Sequence, residues 1–242
     1  MFGLSGSGKM RGRSSPLSTG SGRTDPHIPL KIQETCETVT MLAICLGMET
    51  PVTTINSNGN LVLLSEKHHP VTLDITYASS NNFTGKPIYQ SSQCFLHIDA
   101  LTCLLKATEL LRPLNLRLKI WDAFRPLSAQ QILFQHMPNP DYVGNPESDP
   151  CPHCRGVAVD LTITDRFGKE LDMGSQFDDF RPLAHHGNAL VSEEAQRNRL
   201  MLAGVMNIAG FKPLVTEWWH YQLPNVESYP LIPEAETPEG IM

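Results

Sequence analysis

Two short stretches of the chain carry residues that could bind a metal ion. The first runs from Cys151 to Asp160 and contains His153, with the carboxylate seven residues after the histidine. The second, from Glu217 to His220, offers another histidine with an acid three residues before it. Two imidazoles and one carboxylate form the three-ligand set of a catalytic zinc site that keeps its fourth position open. The pattern predicts one zinc ion bound by His153, Asp160 and His220.

The acid that is left over, Glu217, suits proton transfer. A fourth protein ligand would close the site, so we expect Glu217 to take a proton from water and to deliver it to the leaving amine. Residues three apart on a regular strand point to opposite faces, so Glu217 and His220 can share one metal only if the strand bulges, twists sharply or ends between them.

An arginine could stabilise the charge that develops on a carbonyl oxygen during amide hydrolysis. Arg125 is the candidate, because a fixed guanidinium is suited to this role, and Asp122 three residues earlier could hold it in place. An ordinary surface ion pair between the two is the alternative.

Cys151 and Cys154 form a Cys-x-x-Cys pair around His153. A structural zinc site would need a second comparable pair, and the six cysteines of the chain include none. A non-catalytic binding module with a structural zinc therefore remains only an alternative of a different class. The even cysteine count does not decide whether disulfides form, because a chain this long does not need them.

Composition excludes two other classes of function. The formal net charge is -6 and the pI about 5.8, which argues against nucleic-acid binding, and no apolar run reaches the length of a transmembrane helix. The 242 residues can bury one sizeable core. The pattern does not indicate an oligomeric state.

The N-terminal region, residues 1–47, differs from the rest. Its first 23 residues are rich in Gly and Ser and are typical of disorder, and a short apolar run follows at residues 39–47. We expect a disordered or processed extension, with the catalytic domain over residues 48–242. The extension favours a cytoplasmic enzyme that starts near Met48; the alternative is a periplasmic enzyme, if residues 39–47 act in a signal peptide.

Periodicity predicts the elements that must position these side chains. Residues 156–163 alternate as a strand, with Val157, Val159, Leu161 and Ile163 towards the core and the small residues and Asp160 on the other face. Strands are also predicted at residues 61–64, 71–77, 116–121 and 211–223, and helices at 99–112, from Ser128 with Gln131 in a capping box, and from Ser192 to Gly210. This order favours an α+β fold, a single domain with a central, mostly antiparallel sheet flanked by helices and the zinc site on the sheet.

Five stretches, in order, resemble the zinc-dependent D-alanyl-D-alanine dipeptidase family. They are His153-x-x-Gly156-x-Ala158-x-Asp160, Glu217-Trp218-Trp219-His220, Asp122-Ala123-Phe124-Arg125-Pro126, Asn82-Phe83-Thr84-Gly85-Lys86 and Met173-Gly174-x-x-Phe177-Asp178. The likeness runs from about residue 73 to residue 229 and includes Tyr77.

The resemblance implies a reaction and roles for the residues. It implies zinc on the His-Asp-His set, Glu217 as general base and acid, Arg125 at the transition state, and Asp122 and Tyr77 in support of Arg125 and the substrate. The implied substrate is the free dipeptide D-Ala-D-Ala. A zinc D,D-carboxypeptidase that trims peptidoglycan stem peptides is the alternative within the class. One position departs from the family pattern: Cys151 stands where the family usually has serine, and this is expected to alter the affinity for substrate.

Overall fold

The computed structural model describes residues 60–147 and 150–242. The predicted extension at residues 1–47 lies outside the described residues, so it stays a prediction, as does the domain boundary at residue 48. Within the described part of the chain, no helix is both long enough and apolar enough to cross a membrane.

The described residues form seven strands and three α-helices. In chain order these are β1 (Leu61–Leu64), β2 (Val71–Leu73), β3 (Cys94–His97), α1 (Ile98–Leu111), β4 (Arg117–Asp122), α2 (Leu127–His136), β5 (Ala158–Thr164), α3 (Glu193–Ala209), β6 (Lys212–Leu214) and β7 (Glu217–Gln222).

A five-stranded sheet organises the fold, with the strand order β2-β4-β5-β7-β6. Only the β2–β4 pair is parallel, and the other three neighbouring pairs are antiparallel. Strands β1 and β3 form a separate antiparallel pair. The predicted α+β class with a mostly antiparallel sheet is confirmed.

Strand β5 lies at the centre of this sheet, and all seven of its residues are buried. Its alternate residues Val159, Leu161 and Ile163 join the hydrophobic core cluster that also contains four of the five leucines of α1. Each leucine fully buried in such a core contributes about 1.5–3 kcal/mol through the hydrophobic effect. This burial fixes the register of β5. Asp160 lies between Val159 and Leu161 and is therefore directed to the opposite face of the sheet.

The predicted strand at residues 211–223 is instead a hairpin, since β6 and β7 pair antiparallel around residues 215–216. The predicted strand at 71–77 is also shorter, because residues 76–78 form a 3-10 turn that buries Tyr77.

The helix ends follow the sequence in one case and not in two others. Ser192 caps α3, with its Oγ accepting from the Ala195 amide at 3.0 Å. The α1 helix begins one residue earlier than predicted and is capped by the His97 ring rather than by Asp99. The capping box at Ser128 is wrong: α2 follows Pro126 without a side-chain cap, and the Ser128 hydroxyl donates to Glu234 instead.

Candidate active site

The three predicted metal ligands meet in one buried cluster. Asp160 on β5 pairs directly with His220 on β7 across the sheet. His153 lies in the 3-10 turn His153–Arg155, which ends two residues before β5 begins. His153 Nε2 lies 3.2 Å from His220 Nδ1 and 3.3 Å from Asp160 Oδ2, and His220 Nδ1 lies 3.0 Å from Asp160 Oδ1.

A glycine allows the turn that carries His153 to join the strand. Gly156 ends this turn with φ +67°, a left-handed conformation that favours glycine. A Cβ at this position would lie 3.0 Å from the side chain of Leu61 and 3.2 Å from the amide nitrogen of His97. A larger residue would therefore push the turn away from β1 and β3, which carry Leu61 and His97, and would move His153.

The geometry of this cluster fits a divalent metal ion. Tetrahedral ligands bound at about 2.0–2.1 Å lie about 3.3 Å apart, close to the separations between these three side chains. His153 Nδ1 donates to the Ala123 carbonyl at 2.7 Å, and His220 Nε2 donates to Gln222 Oε1 at 3.0 Å. When a metal is bound, these bonds would hold the tautomers in which His153 Nε2 and His220 Nδ1 direct their lone pairs at it.

The electrostatics of Asp160 also suit a ligand. Burial raises the pKa of its carboxyl, but the two adjacent imidazoles outweigh burial and hold that pKa well below its usual range. For His220 without a metal, burial lowers the pKa of the ring, but the hydrogen bond and charge of Asp160, together with Glu217 and Gln222, outweigh burial and raise that pKa. The carboxylate is thus ionised without any metal, and it attracts positive charge into the cluster.

Glu217 lies beside this cluster but is not one of its three candidate ligands. Its Oε2 is 4.0 Å from His220 Nδ1. The pairing of β6 with β7 shifts between Pro213 and Leu214, so that Glu217 and Tyr221 face adjacent residues of β6. This irregularity at the start of β7 supplies the bulge that lets Glu217 and His220 reach the same site. Burial raises the pKa of Glu217 to about 7, which suits a group that accepts and returns a proton near neutral pH.

Arg125 is buried, which excludes the alternative of a surface ion pair. Its Nε and Nη2 both lie 2.8 Å from Asp122 Oδ2, and its Nη2 lies 3.5 Å from Asp160 Oδ2. Its guanidinium also lies over the Tyr77 ring, 5.3 Å from the centroid. Asp122 and Tyr77 therefore hold the guanidinium beside the His-Asp-His cluster.

Two residues that sequence reasoning missed complete the hold on this arginine. Gln130 accepts a hydrogen bond from Arg125 Nη1 at 2.8 Å and donates to the Gly144 carbonyl at 2.7 Å. Tyr89 donates to Asp122 Oδ1 at 2.8 Å, so the second carboxylate oxygen of Asp122 is also satisfied. A single polar residue such as Gln130 within an amphipathic helix gives no signal of this role in the sequence.

A third missed residue, Asp178, lines the same cavity as Glu217 and Arg125. The Tyr77 hydroxyl donates to its carboxylate, at 3.1 Å from Oδ2 and 3.3 Å from Oδ1. Burial, and next the charge of Asp160, raise the pKa of Asp178 well above its usual range. The sequence placed Asp178 at the end of one of the five matching stretches but gave it no role, and its left-handed φ of +58° is visible only in the structure.

Cys151 lines this cavity too, with φ +49°. The thiols of Cys151 and Cys154 are within hydrogen-bonding contact, both side chains are buried, and no disulfide joins them. Within residues 60–147 and 150–242, the side-chain group that could hold a metal ion comprises His153, Asp160 and His220, without a thiol.

The cavity that contains these groups has a volume of about 400 Å³. This is within the range of small-molecule sites, about 300–1,000 Å³. The aromatic part of its wall is formed by Tyr77, Phe83, Phe180 and Trp219. The polar groups Arg125, Asp178 and Glu217 line the same cavity beside the His-Asp-His cluster. The arrangement can bind a small polar ligand, polarise it with a metal ion and an arginine, and move a proton through Glu217.

Known proteins share this chain's sequence over most of its length. A D-Ala-D-Ala dipeptidase of Escherichia coli K12 is 43% identical over 66% of this chain and 82% of that protein. D-alanyl-D-alanine dipeptidases of Enterococcus faecium and Enterococcus faecalis are 35% and 31% identical, over 69% and 72% of this chain and 92% and 95% of their own lengths.

One solved structure, of a vancomycin-resistance D,D-pentapeptidase in complex with Zn(II), overlaps the chain only distantly. The TM-score is 0.36 at 13% identity, over 73% of this chain and 89% of that one. The family model described as D-Ala-D-Ala dipeptidase, peptidase M15, matches residues 57–234, which include every residue of the site described above. The chain therefore belongs to the D-Ala-D-Ala dipeptidase family of metallopeptidases.

Proposed function

We propose that this protein hydrolyses free D-Ala-D-Ala to two molecules of D-alanine at a zinc ion bound by His153, Asp160 and His220. The observation that carries the proposal is the buried His-Asp-His cluster with a separate acid, Glu217, whose pKa of about 7 leaves it able to accept a proton. The substrate is taken from the relatives, which are D-Ala-D-Ala dipeptidases.

The donor set supports zinc among divalent metals, because two imidazoles and one carboxylate with an open fourth position are typical of catalytic zinc peptidases. A zinc ion held there supplies positive charge that acidifies water and polarises the scissile carbonyl. Glu217 accepts a proton from the attacking water as the water oxygen bonds to the carbonyl carbon. Glu217 then returns the proton to the amide nitrogen as the C–N bond breaks and one D-alanine leaves as an amine.

Arg125 stabilises the negative charge that develops on the carbonyl oxygen. Its guanidinium is fixed beforehand by Asp122 and Gln130, so little reorganisation is needed when the charge develops. Burial makes this interaction stronger than it would be in water. Each of its partners therefore contributes to the rate by keeping the guanidinium in position.

Asp178 favours a free dipeptide over a longer peptide. The ammonium group of D-Ala-D-Ala would stabilise the ionised form of this buried carboxyl, which otherwise favours protonation. A stem peptide or an N-acetylated dipeptide offers an uncharged amide at the same place and leaves the carboxyl without a cationic partner. This contrast favours the dipeptidase over the D,D-carboxypeptidase.

A panel of four substrates tests the proposal on the zinc-loaded protein, by release of D- or L-alanine. We expect hydrolysis of D-Ala-D-Ala. Rates should be about 10- to 100-fold lower for N-acetyl-D-Ala-D-Ala and for a pentapeptide that ends in D-Ala-D-Ala, since the loss of one hydrogen bond to a charged group costs about 1.5–3 kcal/mol. L-Ala-L-Ala keeps the ammonium group, but its inverted stereocentres move the scissile carbonyl away from its position beside Arg125, so it should also be hydrolysed more slowly. Faster hydrolysis of the pentapeptide would support the carboxypeptidase. Hydrolysis of none of the four would refute both activities.

A further inference from the structure

Arg199, on the inner side of α3, is a buried cation whose hydrogen bonds all go to neutral oxygens. Only 1% of the residue is exposed. Its Nε donates to the Met173 carbonyl at 2.6 Å, its Nη1 to the His185 carbonyl at 3.0 Å, and its Nη2 to the Leu183 carbonyl at 3.0 Å. Burial lowers the pKa of this guanidinium. Burying a charged guanidinium costs free energy unless its hydrogen bonds compensate. We therefore look for the role of Arg199 in the carbonyl groups to which it donates.

These three acceptors belong to one segment, residues 173–185, which has no strand or α-helix of its own. Met173 precedes Asp178, and Leu183 and His185 follow it, so one guanidinium joins both ends of the segment that carries Asp178. Between the ends, the Phe177 ring stacks on Trp121 at 4.9 Å. The segment therefore depends on Arg199 for backbone hydrogen bonds that a strand or helix would otherwise supply.

The same guanidinium is linked to strand β7. Its Nη2 donates to Ser175 Oγ at 3.2 Å, and the Trp218 indole donates to the same oxygen at 2.9 Å. The guanidinium also lies 5.8 Å from the centroid of the Trp218 ring. Trp218 follows Glu217 directly, so this network connects the segment that carries Asp178 with the strand that carries the general base.

We propose that Arg199 is a positioning residue for substrate recognition: it joins the two ends of the 173–185 segment and thereby holds Asp178 in the catalytic cavity. Only lysine or arginine could supply the charge, and only the forked guanidinium reaches several carbonyls at once. The part of this inference that concerns substrate binding rests on the proposed role of Asp178 in the proposed function.

The test compares Arg199→Lys with Arg197→Lys, a matched control on the same helix. Arg197 is exposed and pairs with Glu193 four residues before it, and it does not contact the site. Ser175→Ala is a milder variant that removes the acceptor shared by Arg199 and Trp218 and leaves the backbone carbonyls in place. It keeps the inference testable if Arg199→Lys does not fold.

Hydrogen exchange on the zinc-loaded protein gives a readout that does not depend on any activity. We expect amides within residues 173–185 to exchange at least tenfold faster in Arg199→Lys, and less markedly so in Ser175→Ala, while amides of β5 and the whole of Arg197→Lys remain as in the wild type. Unchanged exchange in the segment, or faster exchange spread evenly over the fold, would overturn the positioning role.

Steady-state kinetics then separate substrate positioning from general destabilisation. We expect Arg199→Lys to raise KM for D-Ala-D-Ala about tenfold or more with zinc content unchanged, and to have no further effect on KM in an Asp178→Asn background. Effects that add fully in the double variant would overturn the link to Asp178. If the wild-type protein does not hydrolyse D-Ala-D-Ala, the proposed function is refuted. The hydrogen-exchange result would still decide whether Arg199 holds the 173–185 segment.

Discussion

Replacement of Arg125 by alanine separates two roles that the structure gives to one side chain. The guanidinium lies beside Asp160 of the His-Asp-His cluster. It also neutralises Asp122, of which only 1% is exposed. Loss of one donor to a developing oxyanion costs about 10²–10³ in kcat, or about 2.7–4 kcal/mol. Loss of one partner from a buried ion pair costs about 3–5 kcal/mol of folding stability. The single variant should show both losses.

The second loss should depend on pH. Burial raises the pKa of Asp122, and Arg125 is the largest influence that lowers it. Without the arginine, the pKa in the folded state rises further above the value in the unfolded chain. The unfolded state then releases its proton at lower pH than the folded state does, so stability falls as the pH rises through the folded-state pKa. The stability deficit of Arg125→Ala should therefore be smallest in acid.

Asp122→Asn combined with Arg125→Ala provides the decisive control. The asparagine carries no charge and its Oδ1 can still accept from the Tyr89 hydroxyl, so most of the lost stability should return. The rate should not return, because the donor to the oxyanion is still missing. Urea unfolding measures the first quantity, and release of D-alanine from D-Ala-D-Ala under saturating substrate measures the second. A double variant that recovers both would show that Arg125 acts only on folding and would refute its role at the transition state.

Three further perturbations probe other parts of the site. Glu217 must be ionised to accept a proton, and its pKa is about 7 without a metal. Bound zinc can only lower this pKa, so kcat/KM should fall about tenfold per pH unit once the pH is below a pKa of about 7 or less. A pH–rate profile that stays flat from about pH 5 to pH 8 would contradict this role. Cys151→Ser restores the hydroxyl usual in the family, and one better hydrogen bond should lower KM for D-Ala-D-Ala by about 2- to 10-fold; an unchanged KM in initial-rate assays would remove Cys151 from substrate binding. Chelation of the metal should abolish turnover and lower the melting temperature, because zinc binds only the folded cluster, and added zinc should restore both; calorimetry with no shift would contradict a metal at the His-Asp-His site.

The sequence was sufficient where buried patterns decide the structure. The alternation around Asp160 predicted β5, because a slip of one residue would expose Val159, Leu161 and Ile163 to solvent. The sequence also predicted that the strand must bulge, twist sharply or end between Glu217 and His220, and the pairing of β6 with β7 is irregular at this point. In both cases the constraint is local and leaves few alternatives.

The sequence was insufficient where the signal is weak or the contact is distant. The hairpin at residues 215–216 was missed because Val215 and Thr216 are β-branched and neither is a typical turn residue. Gln130 and Asp178 act on the site through partners far away in the chain. Asp178 is 101 residues from Tyr77, the side chain that donates to it. Such contacts are set by packing of the whole domain, which no short window of sequence reports.

The most direct test of the site is zinc content and turnover measured on one preparation of Glu217→Ala. The proposed site has three ligands, His153, Asp160 and His220, and a glutamate that only transfers a proton. We expect about one zinc ion per chain, as in the wild type, and release of D-alanine from D-Ala-D-Ala reduced by about 10² or more. Loss of the zinc would instead make Glu217 a ligand, and zinc-loaded protein with normal turnover would place the general base elsewhere; either result would contradict the account.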